Sequence, residues 1–247
     1  MLIVEFVLFL PKILFVKQAY FNWSTGKDSA LALYKMLQDK EYVIGTLVTT
    51  VNKKFNRVSM HGVSEELLEQ QAEEIGLPLT KIYFPEEVSM ESYNSIMESN
   101  LIDIISKGDY KYSVFGDIFI DDLKEFRETK LEELNLKGVF PLWKIDTNKL
   151  IEEFIDLGFK AITVSVNANL LDESFVGRII DRNFINDLPE NVDVCGENGE
   201  FHTFVFDGPI FKNPISFKLG EKVLKTYPSK KSATWDSKFW YCDLISK

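Results

Sequence analysis

From residue 17 onward, apolar and polar positions follow two alternating periods. Segments 17–23 (KQAYFNW) and 42–51 (YVIGTLVTTV) are rich in aromatic and β-branched residues and predict strands, the second long enough to be buried. Between them, ALALYKMLQDK after Asp28 carries the three-and-four spacing of an amphipathic helix. Residues 64–75 put Leu67, Leu68, Ala72 and Ile75 on one helical face, with Ser64 as N-cap. Segment 79–84 (LTKIYF) predicts a short strand, and 89–106 a helix with Ile96, Leu101, Ile104 and Ile105 as its apolar positions. Segment 112–119 (YSVFGDIF) reads as a strand, 121–134 as a charged helix ending before Gly138, and GVFPLW closes the series. Repeated strand–helix–strand units predict an α/β fold: a parallel sheet with helices on both faces and ligands bound beyond the carboxyl ends of the strands.

The rhythm changes near residue 145. One helix (150–157) and one strand (160–168) are followed by shorter segments rich in Asn, Gly and Pro. Three parts are therefore expected: an apolar extension (1–16), a larger domain (17–145) and a smaller α+β domain (146–247). The extension, MLIVEFVLFLPKILFV, lacks the basic start and small-residue cleavage site of a secretory signal, and Pro11-Lys12 interrupts it before a membrane-spanning length. It reads as an added element, a hydrophobic contact surface suited to self-association, or the product of a start upstream of the true one, rather than as a membrane anchor.

Charge and composition narrow the partners. The 247 residues carry 28 Lys+Arg against 38 Asp+Glu, a net charge of −10, which argues against a nucleic-acid partner because such binding neutralises phosphates with cations. Twenty Phe supply a sizeable core. Two cysteines and two histidines have no metal-ligand spacing, and a reducing cytoplasm suits them.

The chemistry concentrates in two segments. Ser24-Thr25-Gly26-Lys27-Asp28-Ser29 lies between the first strand and the first helix, where backbone N–H groups and the positive end of the helix dipole attract an anion. An ordinary turn capped by Asp28 or Ser29 is the alternative. A Walker loop is excluded, because its first Gly and its Ser/Thr after Lys fall on Phe21 and Asp28. STGKDS instead resembles the SGGKDS-type loop of the PP-loop ATP pyrophosphatases, with Thr25 replacing a Gly. A β-branched residue disfavours positive φ, so a negative φ is expected at Thr25. The second segment, Cys195-Gly-Glu-Asn-Gly-Glu-Phe-His-Thr203, resembles the C-terminal signature of the diphthine–ammonia ligase family. Gly116-Asp117, Arg127 and Pro141-Leu142-Trp143 extend the likeness over about residues 17–215. Asn198 and His202 depart from the EGGEYET pattern of diphthine–ammonia ligases proper and resemble a bacterial subgroup linked to cobalamin-precursor amidation.

The resemblance implies a Rossmann-like, HUP-type doubly wound sheet. It also implies an ATP pyrophosphatase that adenylates a carboxylate and forms an amide with ammonia, using ATP and Mg²⁺. The carboxylate would be a small molecule or a modified protein side chain. ATP would be held by Ser24, Thr25, Gly26, Lys27, Asp28 and Ser29, with Thr49 at the adenine, His61 near base or ribose, and Gly116 and Asp117 at a strand end. Asp28 would help hold Mg²⁺. Lys27, Asp28, Glu197 and Glu200 are the catalytic candidates. Asn198, Gly199, Glu200, His202, Thr203 and Arg127 are the substrate-binding candidates. For Glu197 and Glu200 the competing reading is solvated loop carboxylates, for His202 a packed histidine, for Arg127 a surface ion pair and for His61 a surface loop. Cys195 reads as structural. A true diphthine–ammonia ligase, a PP-loop enzyme of tRNA modification or sulfur transfer, and a non-catalytic ATP-binding protein are the competing functions.

Overall fold

A computed structural model describes residues 16–59, 62–227 and 237–247. The extension through residue 15, and His61, lie outside the described residues. Sheet A is built from β1 (Lys17–Asn22), β2 (Tyr42–Asn52), β4 (Leu79–Phe84), β5 (Tyr112–Val114) and β6 (Lys137–Val139), all parallel in the order β4-β2-β1-β5-β6. A two-residue antiparallel strand, β3 (Arg57–Val58), pairs with the far end of β2. The crossovers place α1 (Lys27–Gln38) and α2 (Glu65–Ile75) in one buried cluster, and α3 (Met90–Gly108) and α4 (Asp121–Glu132) in the other, as right-handed connections on the two faces of the sheet require. The Ser64 hydroxyl accepts from Leu67 N and caps α2 as the sequence indicates.

After α5 (Thr147–Asp156) the chain enters sheet B, antiparallel in the order β8-β7-β10-β9, with a short α6 (Arg182–Asp187) before β8. These strands are β7 (Lys160–Asn167), β8 (Phe201–Asp207), β9 (Phe217–Tyr227) and β10 (Ser237–Ser246). The fold is thus α/β, a doubly wound parallel sheet plus a separate antiparallel one. One buried cluster runs through both sheets, joining Phe21, Trp23 and Leu33 to Phe154, Phe184 and Phe204. A second cluster, with Tyr20, Ile82 and Leu101, lies under α3 and α4.

Several boundaries differ from the sequence reading. β5 ends at Val114, because the chain then turns so that Gly116 packs onto the start of α1. A Cβ there would stand 3.0 Å from the Asp28 carbonyl carbon and the Ser29 nitrogen. β6 ends at Val139, just before Pro141. α1 begins at Lys27 with Gly26 as its N-cap and no side-chain cap, so neither Asp28 nor Ser29 caps it. β9 and β10, of 11 and 10 residues, replace the short segments expected after residue 170.

Candidate functional site

In sheet A the connection after β1 leaves toward one face and that after β5 toward the other, which opens a crevice between their carboxyl ends. The 24–29 loop borders it on one side and Gly116-Asp117 on the other. Inside the loop, Ser24 Oγ donates to Ser29 Oγ at 3.0 Å and Ser29 Oγ donates to the Gly26 carbonyl at 3.0 Å.

Thr25 corrects the expectation of negative φ: its φ is +75°. The conformation costs on the order of 1–3 kcal/mol and is held by its surroundings. The fully buried Thr25 offers its carbonyl to two donors, Val205 N at 3.0 Å and Gln71 Nε2 at 3.1 Å. Gln71 also donates to the Val205 carbonyl and accepts from Trp23 Nε1, so one buried amide ties Trp23 just after β1, the loop and β8 together.

Lys27 does not project into solvent. Its backbone N–H donates to Thr203 Oγ1 at 3.0 Å. Its ammonium donates to both Asp28 carboxylate oxygens, at 2.8 and 2.7 Å, and to the Cys195 carbonyl, 5.4 Å from the centre of the Phe201 ring. Burial is the largest influence and works against this ammonium, but Asp28, Cys195 and Glu197 together offset it and the proton is held more tightly than usual. Burial raises the Asp28 carboxyl above its ordinary range, with Lys27 pulling the other way.

The second segment folds over this pair. Asp193 Oδ1 accepts from Cys195 N and Glu197 N, and Gly196 and Gly199, with φ of +69° and +84°, let the chain reverse twice. Glu197 accepts from Ile118 N at 2.9 Å. Burial, reinforced by Asp28, lifts its carboxyl to about 7. Glu200 turns inward and is buried: one oxygen accepts from Asp193 N at 3.1 Å and from Asn198 Nδ2 at 3.0 Å. Asn198 and Glu200 thereby close the turn on itself.

The remaining candidates divide clearly. Asp117 pairs with Arg127 at 2.6 Å, and burial raises its carboxyl despite that pairing. Arg127 therefore belongs beside the crevice, not in an ion pair with its helix neighbours. Thr49 is buried and donates to the Trp23 carbonyl at 2.8 Å, supporting the strand that feeds the loop. His202 sits in β8 opposite Ser165, and burial pushes its imidazole down to about 4. Burial pushes the Cys195 thiol up, and its Sγ donates to the Thr147 carbonyl.

Lys27, Asp28, Gly116, Asp117, Glu197 and Thr203 thus converge at the junction of the two sheets. Asp193 and Gln71 join them and were missed from sequence. Gln71 was detectable, being a polar residue on the apolar face of α2 shared by Leu67 and Leu68. Asp193 gave no such signal, since its role depends on the fold of the turn.

This arrangement coincides with two successive family matches. The Diphthamide synthase N-terminal domain matches residues 17–137 and the Diphthamide synthase C-terminal domain matches residues 146–244. The chain belongs to the diphthamide synthase family. The diphthine–ammonia ligase of Bos taurus is 33% identical over 113 residues, 44% of this chain and 42% of that protein. That of Homo sapiens is 32% identical over 111 residues, 42% of each chain. The matched stretch spans less than half the length of these relatives. In diphthamide synthase terms, the N-terminal domain supplies Lys27, Asp28 and Asp117, and the C-terminal domain supplies Glu197 and Thr203. Among the described residues no helix is long and apolar enough to cross a membrane, and no group of three or more His, Cys, Asp or Glu is arranged to hold a metal ion.

Proposed function

We propose that this chain is an ATP-dependent ligase that adenylates a carboxylate, releasing pyrophosphate, and forms an amide as ammonia displaces AMP. One observation carries the reading: an anion-attracting loop at a helix N-terminus lies under a carboxyl group whose pKa is lifted to about 7. Phosphoryl chemistry of this kind needs positioning and charge neutralisation rather than a protein nucleophile.

Lys27 turns from Asp28 to the phosphates when nucleotide enters. Asp28 then offers a freed carboxylate, a hard oxygen ligand suited to Mg²⁺. Mg²⁺ carried in with the triphosphate would be held on the protein side by Asp28 and would supply charge neutralisation there. Glu197 takes a proton from ammonium and so frees the lone pair of the ammonia that attacks, a task matched to a carboxyl titrating near neutrality. Asp117 holds Arg127 in place, and Glu200 and Asn198 hold the turn that presents Glu197.

The departures at Asn198 and His202 select no substrate in this reading. Asn198 serves the turn and His202 sits half-buried in β8, so neither favours a cobalamin precursor over a diphthine-type carboxylate. Sulfur transfer is disfavoured by the two buried cysteines, whose thiols are both raised and hence unreactive. The negative charge disfavours tRNA, and the reducing setting suggested by free thiols fits a cytoplasmic enzyme.

The test is product analysis with the purified full chain, ATP, Mg²⁺, ammonium and a panel of carboxylates. AMP and pyrophosphate in equal amounts, dependent on the carboxylate, are expected. ADP and phosphate would overturn the mechanism, and ATP binding without turnover across the panel would favour a nucleotide-binding protein.

A further inference from the structure

A cavity of about 130 Å³ lies on the α3–α4 face of sheet A. Its floor is Tyr20 and Phe115, and its walls include Met97 and Leu101 of α3 and Leu131 of α4. An engineered apolar cavity of about 150 Å³ holds one benzene, so this space fits a single ring or a short branched chain. Asn22, the last residue of β1, also lines it, which places one end at the crevice bordered by the loop.

Arg127 lines the same space. Its guanidinium lies 4.4 Å from the centre of the Phe115 ring and pairs through Nε and Nη2 with Asp117, at 2.6 and 3.2 Å. Nη1 has no partner among the described residues. Lys130, the other cation lining the cavity, is occupied by Glu133 at 2.7 Å. The cavity therefore combines an apolar floor and walls with a polar part of its lining, Asn94, Glu98 and Glu133 among it, and one oriented guanidinium edge, linked through Asp117 to the electrostatic neighbourhood of Asp28.

We propose that this cavity receives the apolar arm of the substrate, with Arg127 at its mouth holding the carboxyl group. The inference rests on the ligase reading for the word substrate. It names the class: a carboxylate on a compact apolar arm of about one ring's size, not one attached directly to a bulky polycyclic body. A guanidinium–carboxylate contact is charge-assisted and directional, so it orients the carboxyl group while the arm supplies binding.

The experiment titrates 4-fluorophenylacetate into the full chain without ATP and follows binding by fluorine NMR. Saturable binding is expected. Met97→Trp, which fills the space, abolishes it, and Leu101→Phe reduces it in a smaller step should the Trp variant fail to fold. Arg127→Met weakens binding about tenfold or more, the loss of one charge-assisted bond. 4-Fluorotoluene, which lacks the carboxylate, binds weaker by a similar factor. Absence of saturable binding, or binding indifferent to both filling variants, overturns the proposal. Binding that depends on the filling variants but not on Arg127 overturns the carboxylate assignment. The titration contains no ATP, so its failure and failure of the AMP-forming reaction are read independently.

Discussion

Lys27 is held by both halves of the molecule, its N–H by Thr203 and its ammonium by Asp28 and the Cys195 carbonyl. Replacing it exposes two separable roles. Lys27→Met keeps the stem but should abolish detectable AMP formation and, by leaving Asp28 without its partner, lower stability by about 1–3 kcal/mol in urea denaturation. Thr25 makes the opposite case. Its hydroxyl is buried and without a hydrogen-bond partner, so Thr25→Val, which keeps the shape and deletes the orphaned oxygen, should stabilise the fold by about 1 kcal/mol. Glu197 sets the pH dependence, with Asp28, Lys27 and Asp117 as the charged groups acting on it. Its folded pKa, about 7, lies above its ordinary 4.5, so the native state binds this proton more tightly than the unfolded chain. The associated stability is full below about pH 4.5 and is lost as pH rises to about 7. Amide formation should rise across the same upper limit as the base form appears. In Glu197→Gln both the loss of stability and the acidic limb of the pH–rate profile should vanish. Lys27 and Glu197 were legible in the sequence because their motifs are local. The sign of φ at Thr25 was not, because Val205 and Gln71, far along the chain, impose it.

At the scale of elements, the order and type of the main strands and helices of sheet A followed from apolar period, because each is buried on a face that the period reports, whereas the ends of β5, β6 and α1 did not. β9 and β10 escaped because β9 is exposed along nearly its whole length, so no buried stripe marks it. The helix starts were less legible than the helices. α1 is anchored by Thr203 and Gly116, contacts that no local cap signals. α2 shows how one element serves the site from behind: its Gln71 secures Trp23, the loop and β8 in a single amide. Gln71→Leu strands the Trp23 indole N–H and removes a donor from the Thr25 carbonyl. It should cost about 1–3 kcal/mol by thermal or urea denaturation and weaken ATP binding, while Gln70→Leu, at the neighbouring residue whose amide bonds Ser246 rather than the loop, should leave ATP binding unaltered.

Across the whole molecule, the buried cluster that runs through both sheets argues for one cooperative unit. Polar ties reinforce it: Arg57 with Asp243 at 2.7 Å, and Glu74 with Asn213 at 2.9 Å. Calorimetry should show a single unfolding transition, displaced upward by ATP with a gain of about 2.7 kcal/mol at a hundredfold excess over Kd. Two resolved transitions would mean that the sheets unfold separately, and that the junction is a hinge rather than part of the core. The net charge of −10 is compatible with the proposed polyphosphate ligand because one lysine and one helix end would do the local work. Trp23 makes that local work visible without a label. It is buried one residue before the loop, and its indole N–H is bound by the same glutamine that holds the Thr25 carbonyl. A loop that shifts to release Lys27 must disturb this bond, so the emission of the native protein should change with nucleotide and the change should disappear in Trp23→Phe.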